Sequence, residues 1–170
     1  MGVAGTGKST LSRAILSRIS AVYLDNNHIA DAFLSNTRNG SKYNKLRPGF
    51  YKALYTITEA NLKVGNTVLL DVPHIKEVQN SKWRRSIRAL VKRTGTKLIA
   101  IRCLCSEKSL RARIRARGET RDNWKLKHWE AFLLQEPIKA AIPFQHLDID
   151  TDNPSGNLRI AVRYIREQAR

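Results

Sequence analysis

The sequence predicts an α/β fold, a parallel sheet flanked by helices on both faces, on three observations. Short apolar runs alternate with segments of helical period, a glycine-rich turn opens straight into the first amphipathic segment, and no repeat, low-complexity stretch or linker breaks the 170 residues. With 42% hydrophobic residues the chain can bury one core, so residues 1–170 read as a single domain.

The apolar period predicts a helix over residues 8–20 with Leu11, Ala14, Ile15 and Ile19 on one face. A strand over 21–24 then delivers Asp25 at its carboxyl end. A polar loop over about 36–46 leads to a helix opened by Pro48, with Tyr51, Leu54, Tyr55 and Leu62 inward and Gly65 and Asn66 as its stop. The run over 67–72 reads as a strand carrying Asp71 and broken by Pro73. Helix 81–93 buries Trp83, Ile87, Leu90 and Val91, and a strand over 97–104 follows. Residues 106–117 read as a very basic helix and 122–134 as another. A last strand over 146–149 precedes a helix with Leu158, Ala161, Val162 and Ile165 inward.

Residues Gly2, Val3, Ala4, Gly5, Thr6, Gly7, Lys8 and Ser9 match G-x-x-x-x-G-K-[ST] at every fixed position, with the helix that motif requires behind them. Glycines let such a loop wrap so that backbone N–H groups and the positive helix end surround phosphates, while Lys8 neutralises the β and γ groups. The Ser9 hydroxyl is the expected magnesium ligand, and Thr10 completes the nucleotide-contacting segment. A P-loop NTPase that binds a nucleoside triphosphate with Mg2+ is therefore expected.

Asp71 ends the run Val68-Leu69-Leu70 as a carboxylate does when it holds magnesium beside a phosphate loop, although a plain strand-end Asp has the same pattern. Asp25 stands where a base for an attacking hydroxyl is wanted, outside the carboxyl end of a strand. It is equally suited to cap the short helix containing Ile29, Ala30 and Phe33, and both roles can hold. Arg111, Arg113, Arg115, Arg117 and Arg121 cluster before and after Gly118, and the four-residue spacing puts Arg113 and Arg117 on one face. Guanidinium groups suit a phosphoryl group in transfer. The bland alternative is a solvated basic helix.

Formal charge is +17 with a pI near 10.5, enough to draw polyanions, whether nucleic acid or a phosphorylated substrate. Two further basic stretches are Arg38, Lys42, Lys45 and Arg47, which on a P-loop kinase would face the acceptor, and the surface of helix 81–93. Tyr43 and Phe50 beside the first are suited to stacking on a base or to packing. Cys103 and Cys105 lack C-x-x-C spacing and read as structural thiols. No histidine has metal-ligand spacing, and His74 and Lys76 are weak candidates for acceptor contact. No run approaches the roughly 18 to 20 apolar residues of a membrane span, and no apolar leader opens the chain. A protein of the cytoplasm is expected.

With the loop, Asp25, Asp71 and the arginine-rich stretch in this order, the chain resembles the small P-loop kinases. That group includes gluconate and shikimate kinases, zeta toxins and the kinase domain of polynucleotide kinases, and the likeness is strongest to the AAA-family ATPases of the kinase-like kind. The resemblance runs from Gly2 to about Phe132, and R-I-R-A-R-G-E-T-R-D over 113–122 looks like the group's lid. It implies ATP as nucleotide, a helical lid over about 106–122 with Arg113, Arg117 and Arg121 folding over it, and Asp25 as the acid that activates an acceptor. The acceptor would be a hydroxyl of a small molecule, phosphorylated or not, or a nucleic-acid 5′ end. A nucleotide-gated nucleic-acid-binding protein, or a slow ATPase with no acceptor, is the rival expectation. Asn26, Asn27 and His28 depart from the second acid or arginine that several relatives carry after Asp25. Relatives also place a buried central strand before the loop, where here only Met1 precedes Gly2. The expectation is that this first strand is missing and that the natural chain starts several residues upstream.

Overall fold

The computed structural model describes residues 1–34 and 41–169. Arg38 and the first part of the expected polar loop, residues 36–40, lie outside these residues. In chain order the helices and strands are α1 (Lys8–Leu16), β1 (Val22–Asp25), α2 (Asn26–Phe33), α3 (Ser41–Lys63), β2 (Val68–Asp71), α4 (Ser81–Thr94), β3 (Ile101–Leu104), α5 (Glu107–Arg117), α6 (Asn123–Lys127), α7 (Trp129–Gln135), β4 (Leu147–Asp150) and α8 (Asn157–Ala169). The α/β class and the parallel strands agree with the sequence. None of these helices is long and apolar enough to cross a membrane.

Pairing departs from a single wound sheet. β1 pairs in parallel with β2, and β3 in parallel with β4, as two separate ladders. The expected strand over 97–104 is reduced to its last four residues, because its partner β4 begins only at Leu147, whose amide meets the Ala100 carbonyl at 3.0 Å. A lone extended run without a ladder partner is not a strand, however apolar its sequence.

Three helix expectations change too. α1 stops at Leu16, since the Arg18 and Ile19 amides both fold back onto the Ile15 carbonyl at 2.9 Å. Pro48 lies inside α3 and does not open it, so residues 41–46 are helical. Burial of Phe50, Leu54 and Thr58 along one stripe of α3 offsets the hydrogen bond that proline removes. Segment 122–134 breaks into α6 and α7 at His128, whose φ of −122° and ψ of 56° leave helical space. By contrast α4 has clean ends. Asn80 caps the Lys82 amide at 2.8 Å, and Gly95, at φ 63°, closes the other end with the Thr96 amide on the Val91 carbonyl.

The core lies in clusters on either side of the strands. Val3, Ile75, Leu110, Ile114, Trp129 and Phe132 form one, joining the glycine-rich loop to α5 and α7. Leu11, Ile15, Cys103, Ile149 and Ala161 form another, joining α1 and α8 to β3 and β4. Each fully buried large apolar side chain contributes about 1.5 to 3 kcal/mol. Cys103 and Cys105 are both buried and unpaired, as structural thiols should be.

Candidate active site

The loop over residues 2–9 is shaped by what surrounds it. Gly2, Gly5 and Gly7 have φ of 143°, 92° and 80°, a region in which side chains are strained. A Cβ on Gly5 would stand 2.9 Å from Ile114 and 3.0 Å from Leu110, so α5 packs directly against the loop. Thr6 is fully buried and donates to the Val3 carbonyl at 2.8 Å. Gly7 is the N-cap of α1, and the first-turn amides of that helix have no intrahelical acceptor, which makes its positive end available to an anion. Lys8 Nζ reaches back to the Val3 carbonyl at 2.9 Å. Desolvation pushes the Lys8 pKa down, and the nearby Asp71 carboxylate opposes that shift.

Asp25 and Asp71 end their strands opposite each other in register, and both are buried. Adjacent strands lie about 4.8 Å apart, so two carboxylates meet at one level beside the loop. Tyr23 ties them together, its hydroxyl donating to Asp71 Oδ2 at 3.0 Å and standing 3.5 Å from Asp25 Oδ2. Burial, followed by the two carboxylates, raises the Tyr23 pKa, so the hydroxyl keeps its proton and stays a donor. Asp25 Oδ1 accepts the Asn27 amide at 2.7 Å and caps α2, leaving Oδ2 toward Tyr23. Asn26 Oδ1 is buried with no hydrogen-bond partner among the described residues.

Sequence reasoning passed over Tyr23, although its i, i+2 spacing from Asp25 on a strand puts both on one face. Replacing it, Tyr23→Phe, should leave nucleotide affinity without metal unchanged and shift half-saturation by Mg2+ several-fold, as a titration of the nucleotide complex would show.

Thr151, just past β4, was also passed over. Its hydroxyl lies 3.1 Å from the Thr6 carbonyl and 2.9 Å from the Leu104 carbonyl, and it accepts from Arg113 at 2.7 Å. Arg113 also donates to the Thr151 carbonyl and pairs with Asp152 at 3.0 Å. Arg117 and Lys125 both pair with the fully buried Asp122, and Arg121 stands 3.6 Å from Glu119 and 4.0 Å from Asp31. The segment expected as a lid is thus anchored on its inner side through Leu110, Ile114 and Asp122, with Arg113, Arg117 and Arg121 facing carboxylate partners.

His74 is 4% exposed at φ 50°, with Nε2 at 2.5 Å from the Tyr55 hydroxyl and Trp83 Nε1 donating to that same hydroxyl. Its Nδ1 lies 3.7 Å from Glu77, which also pairs with Arg47, and Tyr51 covers the ring. Burial pushes the His74 pKa below 6.5 despite Glu77. The unfolded chain therefore takes up a proton that the folded one refuses, and stability should fall as pH drops below about 6.5. Urea unfolding from pH 7.5 to 5.5 checks this, with a flatter profile expected for His74→Gln.

Among the described residues no three His, Cys, Asp or Glu side chains gather as a metal-binding group. Magnesium needs no such cage. It takes one or two protein oxygens and completes its shell with phosphate and water, and Ser9 and Asp71 are hard oxygen donors suited to that.

A family model described as an AAA domain matches residues 1–135. The chain belongs to that AAA domain family. Two solved structures share the fold of this family member. A candidate kinase from Chloroflexus aurantiacus superposes with a TM-score of 0.77 at 19% identity, over 98% of this chain and 91% of that one. The APS kinase of Mycobacterium tuberculosis, solved with AMPPNP and APS, gives 0.59 at 16% identity, over 98% and 94%. No curated protein matches the sequence. The fold is that of the P-loop kinases.

Proposed function

We propose that the protein is an ATP-dependent phosphotransferase that moves the γ-phosphoryl group to a hydroxyl. The observation that carries this is the meeting of two register-matched carboxylates, Asp25 and Asp71, beside Lys8 and Ser9 of the phosphate loop. A site that only bound nucleotide would have use for one carboxylate, on the metal side. The second, Asp25, has Oδ1 fixed by the cap, while Oδ2 carries only the long 3.5 Å contact with the Tyr23 hydroxyl and keeps capacity to accept a proton from an attacking hydroxyl. Mg2+ would be held by Ser9 and Asp71 and would offset phosphate charge. Residues 2–10 bind and orient the nucleotide, Lys8 meets the β and γ phosphates, and Arg113, Arg117 and Arg121 approach the transferring group from the rim.

The APS kinase likeness favours a small-molecule acceptor. The +17 charge keeps a nucleic-acid 5′ end in view, because cationic contacts to phosphates strengthen such binding at low salt. One observation favours the rival, nucleotide-gated reading: Arg113 and Arg117 already have carboxylate partners and would have to exchange them to reach a phosphate.

Transfer of label from γ-labelled ATP with Mg2+ tests the proposal, using pools of small hydroxylated metabolites, nucleosides and 5′-hydroxyl oligonucleotides. Label in one pool, lost in Asp25→Asn, supports the kinase. ATP binding with no labelled pool, and nucleotide-dependent oligonucleotide binding unchanged in Asp25→Asn, overturns it in favour of the switch.

A further inference from the structure

Between Glu77 and Glu107 the sequence has eight Lys and Arg residues and no acid, although the whole chain has 14 Asp and Glu to 31 Lys and Arg. The fold sorts these cations. Arg93 pairs with Glu59 of α3 at 2.9 Å, Arg102 of β3 with Asp148 of β4 at 2.6 Å, and Arg84 folds back onto the Val78 and Gln79 carbonyls at 2.8 Å. Lys82, Arg85, Arg88 and Lys92 of α4 remain. All four are exposed, and among the described residues none of them forms an ion pair.

Their placement follows from the helix period. Ile87 and Leu90 are buried, and Trp83 turns in to donate its Nε1 hydrogen to the Tyr55 hydroxyl at 2.9 Å. With about 3.6 residues per turn, the four cations fall on the opposite side as one row. From Lys82 to Lys92 the helix rises about 15 Å, over which one strand of a duplex carries about four phosphates. The Asn80 cap and the Gly95 closure fix both ends of α4, so the row is set before any partner arrives.

The surroundings of the row narrow its partner. A protein interface is built round an apolar or aromatic centre, a helix lying in a bilayer turns its apolar face outward, and a single strand needs rings for its unstacked bases. The outward side of α4 offers none of these, since no large apolar side chain of this helix is among the exposed ones. A duplex backbone asks only for regularly spaced cations.

We propose that the outward face of α4 is a docking surface for the sugar–phosphate backbone of a nucleic-acid duplex, held by Lys82, Arg85, Arg88 and Lys92 without reading of bases. The surface includes no residue of the phosphate loop and neither Asp25 nor Asp71. Docking is therefore independent of nucleotide and of phosphotransfer.

The test measures binding of a fluorescently labelled DNA duplex of about 20 base pairs, without nucleotide, over a salt series from about 50 to 200 mM. Four phosphate contacts give a slope of log affinity on log salt of about −3.6. Arg85→Gln with Arg88→Gln should weaken binding about 50-fold at about 0.1 M salt and flatten the slope by about 2. Arg85→Lys with Arg88→Lys should keep both, and the melting temperatures should be unchanged, because the positions are exposed. Arg159→Gln with Arg163→Gln removes the same charge from α8, which packs on α1 and β4, and should change affinity by less than about 3-fold. Equal losses from the α4 and α8 variants overturn the proposal, since net charge alone would then account for binding. So does a parent chain that fails to bind the duplex at the lowest salt. Binding to phosphatidylserine vesicles but not to the duplex, lost in the Arg85→Gln, Arg88→Gln variant, overturns it in favour of a membrane surface.

Discussion

Lys8→Ala should cut ATP affinity by 100-fold or more and phosphotransfer by about 10³. Lys8 is the cation within the loop, and its ammonium is held among backbone groups with its pKa depressed by burial. A charge kept under desolvation does little for the stability of the nucleotide-free protein and waits for a phosphate to compensate it. The variant should therefore melt no lower than the parent without nucleotide and lose the upward shift that ATP gives the parent. Isothermal titration and thermal scans with and without Mg-ATP read both halves. A fall in the nucleotide-free Tm would mean that Lys8 is a structural cation.

Asp122→Ala should cost about 2 to 3 kcal/mol, near the lower end of what removing one partner of a buried ion pair costs. Asp122 is 1% exposed and holds Arg117 through Nε at 2.8 Å and Lys125 at 2.6 Å. Its two cations reach partly into water, which softens the loss. Denaturant unfolding should show the change in midpoint, with Asp122→Asn intermediate. The variant also frees Arg117, so if that guanidinium acts on the transferring group, the activity of the folded fraction will change by more than the stability loss explains.

The glycine spacing and the following helix made the loop legible because its geometry is local. Asp25 and Asp71 were legible as strand ends, but their alignment was not, since register depends on pairing between segments 46 residues apart. The arginines were visible as a cluster. Their partners depend on tertiary contacts, and Asp122 and Asp152 decide where two of them point. Residues 97–100 read as strand because Leu98, Ile99 and Ala100 continue the apolar run into β3, while the ladder that would make them one starts at Ile101. Pro48 misled for a related reason: the packing of Phe50 and Leu54 outweighs one lost backbone bond.

The hydroxyl of Thr151 touches a loop carbonyl 145 residues earlier in the chain. Such a long closure is slow to form, and a chain emerging from the ribosome amino end first carries its phosphate loop without that clasp until residue 151 has been made. Nascent chains halted before residue 151 should thus fail to retain ATP, and the ability to bind it should arrive abruptly once β4 and the clasp clear the exit tunnel. Nucleotide capture then becomes a signal that β4 has been made and has closed on the loop.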